Sequence, residues 1–275
     1  MDQTKFIEFV AAKLSDETTV RGLFLGGSFG RGTPDSHSDV DLIALVEPDH
    51  QDQAIATWRS LLEGISPVVF WNQRGQGQVL LNAITEDWLR CDLSIMPPSA
   101  FIDRTQETVK PLIDRDGFYN VLPEAMPAKG PDPAKVKYLI NEFIRVLGLL
   151  RVVVGRGEYL TAVTGIGLLR DHFMNLMLEE VNVPDRGGAL HLSKVLPEAD
   201  MDLLLSLPFP KPKREEVIDA NFDIARHFLP RAYELAAKLN LPWPDNFEKA
   251  TLRVLATSLG PSPDWYALSR NSATD

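Results

Sequence analysis

The spacing of apolar residues predicts helices and short strands in the first half of the chain. Apolar positions recur at helical spacing in residues 6–14 and 51–62, so each segment is predicted to form an amphipathic helix. Shorter apolar runs around them are typical of strands, and few helices separate these runs. This order of elements indicates an α+β fold, with flanking helices on a mixed sheet. The predicted strands are residues 20–25, 39–46, 65–71, 78–84 and 88–95.

The pattern changes after residue 122, where four prolines and a glycine fall within residues 123–134. Proline lacks an N–H and restricts its own backbone, so this stretch is predicted to be neither regular helix nor central strand. Beyond it, apolar residues follow the helical period almost to the end of the chain. We therefore predict a sheet domain over residues 1–122, a proline-rich linker over 123–134 and an all-α helical-bundle domain over 135–275. The helices expected in that bundle are residues 135–154, 158–181, 198–207, 214–239 and 247–259.

Composition narrows the classes of function. The formal net charge of −10 disfavours a nucleic acid as partner, because phosphate backbones are bound by basic surfaces. An apolar run long enough to span a membrane is missing from the sequence, and the first residues do not resemble a signal peptide, so a cytoplasmic protein is expected. Cys91 is the single cysteine, which excludes a disulfide within the chain.

The most informative residues are Gly27 and Ser28, followed after ten residues by Asp39 and Asp41. Side chains alternate along a strand, so the two carboxylates point to the same side and need a cation to offset their repulsion. Oxygen ligands of this kind suit Mg²⁺, which commonly also binds substrate phosphates. The glycines allow a close approach of backbone N–H groups to an anion, and Arg31 could reach the β- or γ-phosphate. This combination predicts a site for a magnesium–nucleoside triphosphate complex.

A third carboxylate is expected beside this pair, because transfer of a phosphoryl group to a hydroxyl needs a base or a further metal ligand. The candidates in the sheet region are Glu63, Glu86, Asp87 and Asp92. Glu63 closes a predicted helix, and Glu86 and Asp87 read as turn residues between strands. Asp92 interrupts an apolar strand, where a charge requires a reason, so we select it as catalytic base or third metal ligand.

The segment from Gly27 to Asp41 resembles the signature of the nucleotidyltransferase superfamily that includes DNA polymerase beta. Residues 91–97 and 112–117 are similar to a part of aminoglycoside 6-adenylyltransferases, and residues 156–159 resemble the larger lincosamide nucleotidyltransferases. The resemblance implies two Mg²⁺ ions and ATP, or another nucleoside triphosphate, as co-substrate. It also implies transfer of a nucleoside monophosphate to a hydroxyl of a small antibiotic-like acceptor, with release of pyrophosphate and a role in antibiotic resistance.

The helical domain is expected to form a wall of the acceptor pocket, between the two domains, through Glu158, Tyr159, Arg170 and Asp171. A polyhydroxylated, cationic acceptor would suit the acidic chain. The oligomeric state is left open, with a homodimer as one possibility. Two alternatives also remain. The same chemistry could act on a protein or a tRNA, as in an antitoxin, or the chain could be a relic that binds nucleotide without catalysis.

Overall fold

The computed structural model describes residues 2–184, 186 and 191–259. The chain forms two compact units, Met1–Met126 and Pro127–Asp275. The division between them falls inside the range predicted as a linker.

The first unit contains a mixed sheet, as predicted, and this sheet has six strands where the sequence pattern indicated five. The strands occur in the order β3-β4-β5-β2-β1-β6, with β2 and β5 parallel and the other pairs antiparallel. Three helices accompany the sheet, of which the second is a single turn. The strands are β1 (Val20–Leu25), β2 (Val40–Val46), β3 (Val68–Arg74), β4 (Val79–Thr85), β5 (Arg90–Met96) and β6 (Lys110–Asp114), and the helices are α1 (Gln3–Leu14), α2 (Gly27–Gly30) and α3 (Gln51–Glu63).

The two faces of the sheet have different coverings. On one face, α1 and α3 bury apolar side chains against alternate residues of the strands, with Phe6 and Trp58 in edge-to-face contact. On the other face, Phe24 and Ile43 pack beneath Phe101, which belongs to the segment after β5. Asp41 and Asp92 lie on this second face, near the starts of β2 and β5. The two predicted site residues on the strands therefore lie on the face opposite α1 and α3.

The start of β3 and the presence of β6 are the largest differences from the predicted sheet. The third strand begins at Val68 and not at residue 65, because the backbone N–H groups of Ile65 and Ser66 both donate to the carbonyl of Leu62 and close α3. The sequence pattern also missed β6, which contains Pro111. A proline is tolerated there because β6 pairs only with β1, at the edge of the sheet.

The second unit is helical, which confirms the α+β assignment. The described residues 127–184, 186 and 191–259 contain no strand apart from a single bridge between Lys129 and Val183. Its core includes the parallel stacking of Phe143 on Phe228, with ring centroids 3.7 Å apart. None of the described helices is long and apolar enough to cross a membrane. The helices are α4 (Pro133–Gly155), α5 (Tyr159–Glu180), α6 (Leu192–Val195), α7 (Glu198–Ser206), α8 (Arg214–Lys238) and α9 (Asp245–Leu259).

The first helix of this unit begins two residues earlier than predicted. Pro133, which was expected to exclude regular helix, is the first residue of α4. Proline is favoured at this position because its missing N–H would have no partner within the helix and its backbone angle is already helical. The side chain of Asp132 caps the helix by accepting hydrogen bonds from the N–H groups of Ala134 and Lys135.

Candidate active site

The turn between β1 and α2 lies directly against Asp41. The N–H of Gly26 donates to the backbone carbonyl of Asp41 at 2.9 Å, and Gly27 adopts a φ of +53°. A Cβ atom on Gly27 would lie only 1.8 Å from Oδ2 of Asp41. Both the backbone angle and the contact therefore require glycine at this position.

Ser28 contributes a buried hydroxyl to the same turn. Its side chain is 9% exposed, and its Oγ has no hydrogen-bond partner among the described residues. Burial of a hydroxyl without a partner is unfavourable, and nearly all such groups in native proteins are satisfied by protein, water or ligand. The unused hydrogen-bonding capacity of Ser28 thus marks this turn as a place where a polar ligand would bind.

Asp41 and Asp92 are neighbours on parallel strands. Their Cα atoms are register partners in the pairing of β2 with β5, and adjacent strands are about 4.8 Å apart. Asp39 immediately precedes β2, with its Oδ2 3.7 Å from Nη1 of Arg90. The structure therefore brings the three predicted carboxylates to the same end of two neighbouring strands.

The electrostatics of this end favour a bound cation. The pKa of Asp41 is raised from 3.8 to about 6, mainly by burial and then by the negative charges of Asp39 and Asp92. The positive charges of Arg31 and Arg90 oppose this shift. Burial also raises the pKa of Asp92, against the hydrogen bond that it accepts from Asn82. The ionised forms of Asp41 and Asp92 are thus unfavourable, and a divalent cation would offset that cost.

Asn82 orients the Asp92 carboxylate, a role that the sequence analysis did not identify. Its Nδ2 donates to Oδ2 of Asp92 at 2.6 Å, and its Oδ1 accepts from Nη2 of Arg74 at 2.7 Å. The arginine fixes which end of the amide faces the carboxylate, because guanidinium can only donate. The available signal was Asn82 itself, a polar residue inside the otherwise apolar run of residues 79–84.

The described residues contain no group of three or more His, Cys, Asp or Glu side chains arranged to hold a metal ion. The Asp39 carboxylate lies near Arg90, and that of Asp92 accepts from Asn82. The assignment of Asp39, Asp41 and Asp92 as metal ligands therefore stays a prediction. The same is true of Arg31, which is exposed just after α2 and whose charge acts on Asp41.

The four residues predicted to contact the acceptor are spread along α5 and do not form a cluster. Glu158 precedes the helix and Asp171 lies 13 residues further on, about 20 Å away at the helical rise of 1.5 Å per residue. Tyr159 packs against the core of the second unit. Arg170 donates to the carbonyls of residues 204, 207 and 208 and stacks on Phe209, with its Cζ 3.9 Å from the ring centroid. These contacts give Tyr159 and Arg170 structural roles within the second unit, and acceptor binding by the four residues stays a prediction.

Comparison with known proteins identifies the first unit. Residues 4–81 match the family model of the nucleotidyltransferase domain, a region that includes Gly27, Ser28, Asp39 and Asp41 but ends before Asp92. No curated protein sequence gives a significant match.

Solved structures that align with this chain include the following three proteins. An aminoglycoside 6-adenyltransferase from Bacillus subtilis aligns with a TM-score of 0.43 and 16% identity, over 93% of this chain and 97% of its own. A nucleotidyltransferase-like protein from Exiguobacterium sibiricum aligns with a TM-score of 0.32 and 13% identity, over 96% and 92%. A cyclic dinucleotide synthase from Elizabethkingia meningoseptica aligns with a TM-score of 0.26 and 13% identity, over 100% and 92%. Because these structural alignments are weak, the identification of the domain rests on the sequence match and on the geometry around Asp41. The chain carries an N-terminal nucleotidyltransferase domain, and the protein is an enzyme of the nucleotidyl-transferring class.

Proposed function

We propose that the protein is a magnesium-dependent nucleotidyltransferase that moves AMP from ATP to a hydroxyl of a small, polyhydroxylated, antibiotic-like acceptor and releases pyrophosphate. The observation that carries this proposal is the position of Asp41. It is in register with Asp92 on one side and in contact with the Gly27–Ser28 turn on the other. Groups suited to a triphosphate and groups suited to its cation are therefore adjacent.

The β1–α2 turn fits the triphosphate. Gly27 leaves open the space that a Cβ atom would fill, and Ser28 offers a buried hydroxyl that has no partner among the described residues. A phosphate oxygen accepting from Ser28 would satisfy this hydroxyl through a charge-assisted hydrogen bond. Arg31, just beyond α2, would add a positive charge near the β- or γ-phosphate.

Asp39 and Asp41 fit Mg²⁺ by the chemistry of their oxygen donors, and Asp92 beside them adds to the negative charge at this end of the sheet. Two Mg²⁺ ions bound there would neutralise charge on the phosphates and lower the pKa of a bound hydroxyl. The protein's own contribution is to hold the three carboxylates at the starts of two adjacent strands and to fix Asp92 through Asn82.

Asp92 would act as the base on the acceptor. Asn82 occupies its Oδ2, so Oδ1 can accept the proton of an approaching hydroxyl. The deprotonated oxygen forms a bond to the α-phosphorus of ATP, and the bond between that phosphorus and the bridging α–β oxygen breaks. Pyrophosphate leaves with the electrons of the broken bond, and the proton on Asp92 is later released to water.

The charge of the chain supports a small acceptor that is not a nucleic acid. The formal net charge of −10 would repel a phosphate backbone and attract a cationic compound, within the roughly 8 Å over which charges act at physiological salt. Aminoglycosides combine amines with many hydroxyls and belong to this chemical class.

The test is a screen for pyrophosphate release. Each of the four nucleoside triphosphates is incubated with Mg²⁺ and with kanamycin, streptomycin, lincomycin or bulk tRNA, using the wild-type chain and Asp41→Asn as a matched inactive control. We expect release with ATP and at least one antibiotic, abolished by Asp41→Asn. Release with tRNA alone would replace the proposed acceptor by a macromolecule. No release with any pair would refute the proposed reaction.

A further inference from the structure

A row of polar side chains crosses the face of the sheet opposite α1 and α3 and ends at the candidate active site. Strand pairing aligns Asn72 with Asn82, Asn82 with Asp92, and Asp92 with Asp41. Paired residues of adjacent strands point to the same side, so these four side chains lie side by side across β3, β4, β5 and β2. The site around Asp92 therefore continues laterally onto β3 and β4.

The side-chain amide of Asn72 has unused hydrogen-bonding groups. Its side chain is half-buried, and its amide makes no hydrogen bond to any described residue. An amide offers two donors and an acceptor with two lone pairs, a set that matches the hydroxyl and amine groups of a sugar or aminocyclitol. Asn82, in contrast, is engaged with Arg74 and Asp92.

Phe70 supplies an apolar surface next to Asn72. It lies two residues earlier on β3, so it points to the same face, and 46% of its side chain is exposed. A bulge between Val68 and Phe70 places Phe70 opposite Ile84 and leaves the intervening Val69 62% exposed at the edge strand. Bulges near binding sites commonly redirect a side chain in this way. An exposed aromatic ring beside a free amide is a suitable platform for one face of a saturated ring.

We propose that β3 and β4 form the acceptor subsite, with Asn72 and Phe70 binding a polyhydroxylated ring of the acceptor while its reactive hydroxyl lies at Asp92. This proposal rests on the proposed function and adds the residues that select the acceptor. The subsite lies on the β5 side of Asp41, whereas the Gly27–Ser28 turn lies on its β1 side. Donor and acceptor would thus approach the carboxylates from opposite directions.

The dimensions suit a compound of more than one ring. Asn72 is two strands away from Asp92, which corresponds to about 10 Å. A single sugar ring positioned at Asp92 would not reach Asn72, whereas two linked rings would. We therefore infer an acceptor with at least two rings, of which the one over β3 is bound and the one at Asp92 is modified.

The single native cysteine allows a site-directed test. Cys91 is fully buried, so its thiol is inaccessible to a maleimide in the folded protein. Asn72→Cys and Gln73→Cys are each labelled with fluorescein maleimide. Gln73 is the matched control, because it is exposed on the same strand but points to the opposite face. Transfer from ATP to kanamycin, streptomycin and lincomycin is measured together with the affinity for the magnesium complex of a non-hydrolysable ATP analogue.

We expect the label at position 72 to raise the KM for the acceptor at least about tenfold, equivalent to about 1.4 kcal/mol of lost binding. Nucleotide affinity should change less than about twofold, and the label at position 73 should alter neither quantity. Asn72→Ala and Phe70→Ala should raise the same KM without a label.

Three results would overturn the proposal. Unchanged transfer after labelling at position 72 refutes the subsite alone. Loss of nucleotide affinity in parallel with transfer assigns this face to the nucleotide and not to the acceptor. Failure of the unlabelled wild-type chain to modify any member of the panel refutes the proposed acceptor class, and with it the subsite.

Discussion

Gly27 and Asp41 fit each other so closely that a single added carbon would prevent their contact: a Cβ atom at position 27 would lie 1.8 Å from Oδ2 of Asp41. The turn expected to bind phosphate and the carboxylate expected to bind metal are therefore parts of one arrangement. A change in either is expected to disturb both.

Gly27→Ala should abolish transfer, because the new methyl group must displace Asp41 and the residue must keep a φ of +53°. Gly32→Ala is the matched control, since Gly32 has a φ of +71° but a Cβ atom added there would have no described atom within 4 Å. The control should lose about 1–2 kcal/mol of stability from backbone strain and keep its activity. Transfer rates and urea unfolding curves of both variants check this, and equal activity losses would show that the contact with Asp41 is unimportant.

Ser28→Ala should weaken nucleotide binding without lowering the stability of the ligand-free protein. Removal of a buried hydroxyl that has no partner among the described residues should leave the free energy of unfolding of the ligand-free protein unchanged, or raise it by about 1 kcal/mol. The same change should weaken the binding of magnesium–ATP about tenfold or more, because a hydrogen bond to a charged phosphate is lost. Calorimetric titration and urea unfolding measure the two effects. Unaltered affinity would exclude Ser28 from the nucleotide site.

Asp41→Asn should stabilise the metal-free protein in a pH-dependent manner. The folded-state pKa of about 6 exceeds the ordinary 3.8, so the folded state holds a proton that the unfolded state releases between these values. The stability associated with that proton is fully present below about pH 4 and is lost as the pH rises through 6. At pH 7.5 the variant should exceed the wild type by about 1–2 kcal/mol, after allowance for the water that still reaches the carboxylate.

Urea unfolding in the presence of a chelator between pH 4 and pH 8 measures this difference. The difference in stability between variant and wild type should vanish toward pH 4. When Mg²⁺ is added in place of the chelator, it should stabilise the wild type more than the variant. A difference that is constant with pH would mean that Asp41 has an ordinary pKa.

Asp92→Asn should lower turnover by at least about a hundredfold, a typical loss for a general base. The affinity for magnesium–ATP should change much less, because the base acts on the acceptor. Single-turnover kinetics and calorimetry separate the two quantities. Parallel losses would make Asp92 a third metal ligand, and no loss in either would remove it from the site.

The sequence predicted those parts of the fold and site that depend on neighbouring residues. The Gly27–Ser28 turn, the pair at Asp39 and Asp41 and most of the helices are local patterns, and Asp92 was recognisable as a charge within an apolar strand. The parallel pairing that places Asp92 beside Asp41 joins distant segments, and no local pattern encodes that register. The interaction of Asn82 with Asp92 depends on the same kind of pairing and was missed for that reason.

Two further errors in the predicted elements involve proline. Pro111 lies in β6 and Pro133 begins α4, although proline in a sequence pattern favours irregular structure. In each case the missing N–H has no consequence, at the edge of a sheet or in the first turn of a helix. The context that makes a proline harmless is known only once the neighbouring elements are placed.

The most direct test of the proposed reaction follows the individual phosphates of ATP. The wild-type chain is incubated with Mg²⁺, the acceptor panel and ATP that carries ³²P at either the α- or the γ-phosphate, and the products are separated. Nucleotidyl transfer predicts that label from the α-phosphate appears on the acceptor and that label from the γ-phosphate appears only in pyrophosphate. Label from the γ-phosphate on the acceptor, or no label on any acceptor from either position, would contradict it.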